Sequence, residues 1–146
     1  MLPELDITGI SHVIQIAIAP VFLLTAVGTI IGVLANRLSR IVDRIRVLEE
    51  RLHDNAPADP APLRYELDSL GRRLRLVYLA VTFDVFCALF VGLLIIAAFV
   101  DAFMGVNLTR IISALFVLAM IAFIGALIVF LREIYLAVNS TRHSML

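Results

Sequence analysis

Residues 63–88 read LRYELDSLGRRLRLVYLAVTFDVFCA. Apolar residues recur at Leu63, Leu67, Leu70, Leu74, Val77 and Val81, in alternating steps of four and three. The same steps continue to Asp84 and Ala88. This alternation is the heptad seam of helices that pack along their length. The first half of the stretch is charged and the second half is apolar. One helix is therefore expected to begin in water and end in lipid, carrying an acid on its packing seam.

A second seam lies upstream, at Leu34, Leu38, Ile41, Ile45, Leu48 and Leu52. Between the two lies HDNAPADPAP, residues 53–62, whose three prolines break a helix and make a turn. The pattern predicts an antiparallel coiled-coil hairpin over residues 36–75. Pairing Leu52 with Leu63, Leu48 with Leu67, Ile45 with Leu70, Ile41 with Leu74 and Leu38 with Val77 keeps a single register. That register sets Glu49 near Arg64 and Arg51 near Glu66, exposed pairs worth a few tenths of a kcal/mol. Extended downward, it sets Leu34, Ile31 and Val27 beside Val81, Asp84 and Ala88. The first helix is then expected from Val13 to His53, about 60 Å long.

Composition agrees with a membrane location. Of 146 residues, 62% are hydrophobic and 16% are charged, against roughly 45–50% and 25% in soluble domains. A soluble domain of this size could not hide so much apolar surface. Twelve arginines balance twelve acids, and there is no lysine. A disordered tail and a binder of nucleic acid driven by net positive charge are both excluded.

Three stretches are long and apolar enough to span, over residues 13–35, 76–100 and 111–131. Pro20 lies inside the first and is expected to kink it. The alternative is an interfacial helix before Pro20. The opening MLPELD is acidic, whereas a cleavable signal peptide needs a basic start, so the first span is expected to stay. Nine of the twelve arginines fall between Arg37 and Arg75, and Arg132 and Arg142 follow the third span. The positive-inside bias predicts a cytoplasmic hairpin and C-terminus, with the N-terminus and the loop near Met104 outside.

Asp84 is the marked residue. It lies about 12 Å below Leu76 by helical rise, inside the hydrocarbon. Intramembrane acids usually face a bundle interior or a water-filled path. The functional reading is a proton or cation site, or a polar lining for a substrate path. The structural alternative is a carboxyl held by hydroxyls such as Thr29, Thr82 or Ser113. Gly28 and Gly32 form a GxxxG for close helix packing, within the chain or between chains, and Gly125 is expected near the same depth.

Arg37, Arg40, Arg44, Arg72, Arg73 and Arg75 cluster at the cytoplasmic boundary, with Asp43 opposite Arg72 and Glu133 ending the third span nearby. They are expected to set topology and to meet lipid phosphate or these acids. Arginine suits bidentate recognition of both. No catalytic motif, cofactor site or metal-ligand spacing is present. Cys87 is the single cysteine, and His12, His53 and His143 are scattered.

The run HVIQIAIAPVFLLTAVGTIIGVLANRLSRIVDRIRVLEE resembles the signature of a bacterial family of small three-span membrane proteins known as a domain of unknown function. LGRRLRLV and FLREIYLAV resemble its later stretches. The resemblance covers most of the chain, implies a bacterial inner-membrane location and supplies no activity. The expected fold class is therefore all-α integral membrane. The expected function is a non-enzymatic assembly or scaffold protein, homo-oligomeric or bound to another membrane protein through the hairpin, with membrane lipids as further partners and no nucleic acid. The alternatives are an ion or proton pathway through Asp84 and an insertase-like biogenesis factor, the latter by topology alone.

Overall fold

The computed structural model describes residues 7–54 and 57–142. They form three α-helices: α1 (Ile7–Asp54), α2 (Ala61–Met104) and α3 (Thr109–Arg142). At 1.5 Å per residue the helices are about 72, 66 and 51 Å long. Each carries a stretch long and apolar enough to cross a membrane, which points to a multi-pass membrane protein. A roughly 30 Å hydrocarbon core takes only part of each helix.

α1 begins earlier than the expected Val13 and runs unbroken through Pro20. The separate interfacial helix before Pro20 is therefore not formed. Pro20 removes one helical donor, yet it is buried, and so are Val27, Leu34, Ile41 and Leu48, each seven residues from the last. On α2 Leu70, Val77, Asp84, Val91 and Ala98 are buried, again at sevens, and Ala80, Cys87 and Leu94 form a second such run. On α3 Ala119, Ala126 and Glu133 are buried at sevens, with Ala122 beside them. A strict repeat of seven keeps one stripe of a helix facing its neighbours over many turns.

The helix ends have local causes. The Asp59 side chain accepts a bond from the Ala61 amide at 3.0 Å, an Asx turn that opens α2. Pro60 and Pro62 cost little there, because first-turn amides have no helical acceptor. α2 ends at Gly105, whose φ of +64° is the left-handed conformation that favours glycine. The Gly105 amide donates to the Asp101 carbonyl at 3.0 Å. The Asp101 carboxylate takes the Leu108 amide at 2.9 Å, fixing the turn into α3. α3 extends beyond the span expected over residues 111–131, as far as Arg142.

Contacts divide the described residues into two compact units. One comprises residues 7–30 and 84–124, and the other residues 31–54, 57–83 and 125–142. The core of the first is built largely from small side chains: Val27, Cys87, Val91, Leu94, Ala98, Ala119 and Ala122. Small residues let helix backbones approach closely where no hydrophobic effect drives them together. The second unit has a bulkier core, with Leu34, Ile41, Leu48, Leu70 and Val77. Branched and long aliphatic side chains supply most of that core, beside Ala80 and Ala126.

Candidate functional site

Three helices of the second unit meet at Glu133. Its side chain is 0% exposed. The Arg37 guanidinium of α1 donates to Glu133 Oε2 at 2.6 Å. Arg73 of α2 donates to Oε1 through Nε at 3.3 Å and Nη2 at 3.1 Å. Each carboxylate oxygen thus serves one arginine, and one acid joins both other helices. The Arg37 guanidinium also lies over the Phe130 ring, 5.2 Å from its centroid, a cation–π contact from the preceding turn of α3.

The geometry explains how a charged group can be buried here. A buried ion pair repays its desolvation only when its hydrogen bonds are satisfied. Both Glu133 oxygens are satisfied, and both arginines keep part of their side chains in solvent, 35% and 24% exposed. Their aliphatic stems cover apolar surface while the heads reach outward. The group carries two positive charges against one negative. Arg37 follows the expected first span, Arg73 precedes the second and Glu133 follows the third. All three therefore lie at the same expected membrane boundary.

The rest of the arginine cluster is looser. Arg44 donates to Glu66 Oε1 through Nε at 2.9 Å and Nη2 at 2.8 Å, an exposed pair. Glu66 is thus taken by Arg44 and not by the expected Arg51, since a guanidinium can reach along the helix surface to a carboxylate out of register. Arg72 pairs with Asp68 one turn away on its own helix, at 3.2 Å, rather than with Asp43. Among the described residues, Arg40, Asp43 and Arg75 form no ion pair. Arg64, Arg72 and Arg75 line an open groove of about 620 Å³ with Asp68.

Asp84 is the counter-case. It is also 0% exposed, and neither carboxylate oxygen has a hydrogen-bond partner among the described residues. Two of the three hydroxyls expected near it are spent elsewhere, and the third, Ser113, lines a cavity beside the turn from α2 to α3. Thr29 donates to the Thr25 carbonyl at 2.9 Å, and Thr82 to the Tyr78 carbonyl at 2.8 Å, each within its own helix. One turn of α2 to either side of Asp84 stand Ala80, Val81, Cys87 and Ala88, which offer no strong donor to a carboxylate. The structure therefore does not join Asp84, Thr29 and Thr82 into one polar site.

The glycines also separate. A Cβ added at Gly125 would meet the Phe83 ring at 3.5 Å, so Gly125 packs within the chain. At Gly28 and Gly32 an added Cβ would meet nothing within 4 Å, and both are exposed. Their GxxxG face is turned away from the rest of the chain. Two features escaped the sequence reading: the Phe130 ring under Arg37, and Asp101, which holds the turn into α3. The signal for Asp101 was present, as an acid four residues before a glycine at the end of an apolar run. Among the described residues no three His, Cys, Asp or Glu side chains are grouped to hold a metal.

The model of the family described as Protein of unknown function (DUF2721) matches residues 17–143, and the chain belongs to that family. No curated protein and no solved structure matches the chain.

The two buried acids predict opposite mutational signs. Glu133→Gln leaves two arginines facing a neutral amide and should cost about 2 kcal/mol, the scale of a hydrogen bond to a charged group. Asp84→Val places a valine between Val77 and Val91 on the same seam. It should stabilise the chain by about 1–3 kcal/mol by removing an unsatisfied buried group. Cys87, fully buried and the single cysteine, reports both. A thiol-reactive dye in a thermal ramp should label Glu133→Gln at lower temperature than the parent, and Asp84→Val at higher.

Proposed function

We propose that this family member is a non-enzymatic assembly protein of the bacterial inner membrane, acting as a homo-oligomer or as a subunit of a larger membrane complex. The observation that carries the reading is the outward GxxxG of α1. Gly28 and Gly32 leave an open strip on a helix meant for lipid, where a second helix backbone can approach closely. The apolar stretch of α1 is also the least covered by its own chain, 11% buried against 28% for α2 and 17% for α3.

In this reading residues 36–75 form a cytoplasmic antiparallel coiled-coil hairpin, which offers a second surface to a partner. The buried sevens on α1 and α2 support the supercoil. The arginine asymmetry supports the orientation, with the N-terminus and the loop at Gly105 outside. The groove of Arg64, Arg72 and Arg75 suits lipid phosphate at the inner leaflet. The pathway alternative draws less support. A path along an axis between subunits needs Asp84 on an outward face, and the carboxyl is enclosed within its own chain. The insertase-like alternative draws on topology alone.

Because a Cβ at Gly28 or Gly32 meets nothing within 4 Å among the described residues, Gly28→Leu with Gly32→Leu should leave the protomer at least as stable as the parent, leucine favouring a helix over glycine. It should weaken self-association by about tenfold or more, as loss of one close helix contact would. Native mass spectrometry in mild detergent reads both. A monomeric parent, or an oligomer indifferent to the two leucines, removes the basis of the reading. Orientation is checked separately with Ala58→Cys and Val106→Cys in a Cys87→Ala background. A membrane-impermeant maleimide added to intact cells should label Val106→Cys and spare Ala58→Cys. The reverse pattern would invert the topology.

A further inference from the structure

The first unit contains a cavity of about 760 Å³ beside the turn from α2 to α3. That volume lies in the range of small-molecule sites. Val13 and Ile16 of α1, Phe99 of α2 and Ile112 of α3 supply apolar walls. His12, Asp101, Thr109 and Ser113 supply the polar groups. The cavity is therefore amphipathic, and it lies where the apolar stretch of α2 ends.

Asp101 is the lone formal charge among the lining residues, and no arginine joins it. Its carboxylate is held in place, because Oδ1 accepts the Leu108 amide at 2.9 Å. Oδ2 makes no hydrogen bond among the described residues and is not closed off from the surroundings. A fixed carboxylate with one free oxygen selects a cationic donor. An anionic head would meet repulsion from Asp101, with His12 the one basic side chain among the lining residues. The apolar walls select a tail.

From this geometry we infer that the cavity is a binding site for an amine-headed phospholipid, with its ammonium on Asp101 Oδ2 and an acyl chain along Ile16 and Phe99. The Thr109 and Ser113 hydroxyls supply donors to the ester and phosphate oxygens. The site lies within one chain and does not depend on self-association, so it stands or falls apart from the assembly reading.

The test uses the full chain, purified in mild detergent, stripped of lipid and titrated with phosphatidylethanolamine or phosphatidylglycerol under native mass spectrometry. The parent should bind one phosphatidylethanolamine per chain, about tenfold more tightly than phosphatidylglycerol, as one charge-assisted hydrogen bond would give. Asp101→Asn keeps an oxygen for the Leu108 amide and loses the charge, so it should abolish the preference. Ala102→Leu and Ser113→Leu fill the cavity from two different helices and should abolish the bound lipid. Protection of Cys87 from a thiol dye confirms that each variant is folded. Phosphatidylethanolamine should raise the temperature at which Cys87 becomes reactive in the parent and not in Asp101→Asn. Equal binding of the two lipids by the parent would overturn the inference. So would a preference that survives Asp101→Asn, or binding that survives both leucine substitutions.

Discussion

The Glu133 carboxylate, held between Arg37 and Arg73, is the interaction on which the second unit turns. Three helices that are apolar over most of their length have little in lipid to set their depth or rotation. Van der Waals packing among aliphatic side chains is tolerant of sliding by a turn, because the next heptad presents a similar surface. A charged tie is not tolerant. If α3 slid by one heptad, Glu133 would lose both guanidiniums and remain buried without a partner, the costly half of the ion-pair ledger. The tie therefore sets register more than it adds net stability. Its place at the edge of the expected spans lets the arginines reach water while the acid stays enclosed.

Asp84 shows what that arrangement avoids. Both acids occupy the buried heptad seam of their helices, at positions otherwise filled by valine, leucine or alanine. Glu133 lies beside the arginine-rich boundary and has partners within reach of its longer stem. Asp84 falls within the expected second span, on a short stem, where the flanking helical turns offer alanine, valine and cysteine. The threonines that might have served it follow another rule. In a helix exposed to lipid, a hydroxyl has no water to bond and turns to the carbonyl one turn back. Thr29 and Thr82 do so, which leaves the aspartate orphaned although hydroxyls lie close in sequence.

The parts of the fold legible in the sequence are those governed by periodicity. Leu34, Ile41 and Leu48 on α1, and Leu70 and Val77 on α2, are buried as the heptad seams require. Asp84 is buried because it shares the phase of Leu70 and Val77, not because its chemistry favours burial. Helix ends were legible where proline clusters mark them, at residues 57–62. The start of α1 was misplaced, because helix continues without a stop signal before Val13. Side-chain partnerships were legible only in kind. That Glu133 would meet arginine follows from charge and position. Which arginines it meets depends on the rotation of α1 and α2 at that level. Long side chains loosen this further: Arg44 reaches Glu66, where strict alignment would have assigned Arg51.

The GxxxG of α1 is the point at which sequence and structure answer different questions. Two glycines four apart say that some backbone can approach closely, and they leave open whose. Inside this chain the buried small residues are others, among them the alanines at 98, 119 and 122. The glycines are therefore surplus to the internal packing. In a helix they carry a cost of about 1 kcal/mol each relative to alanine, with nothing in the protomer to offset it. Lipid tails gain little from glycine, since they fill space around any apolar side chain. A second helix gains more, because van der Waals contact and weak Cα–H bonds grow as backbones draw together. Under the proposed assembly the cost falls on the single chain and the return falls on a pair.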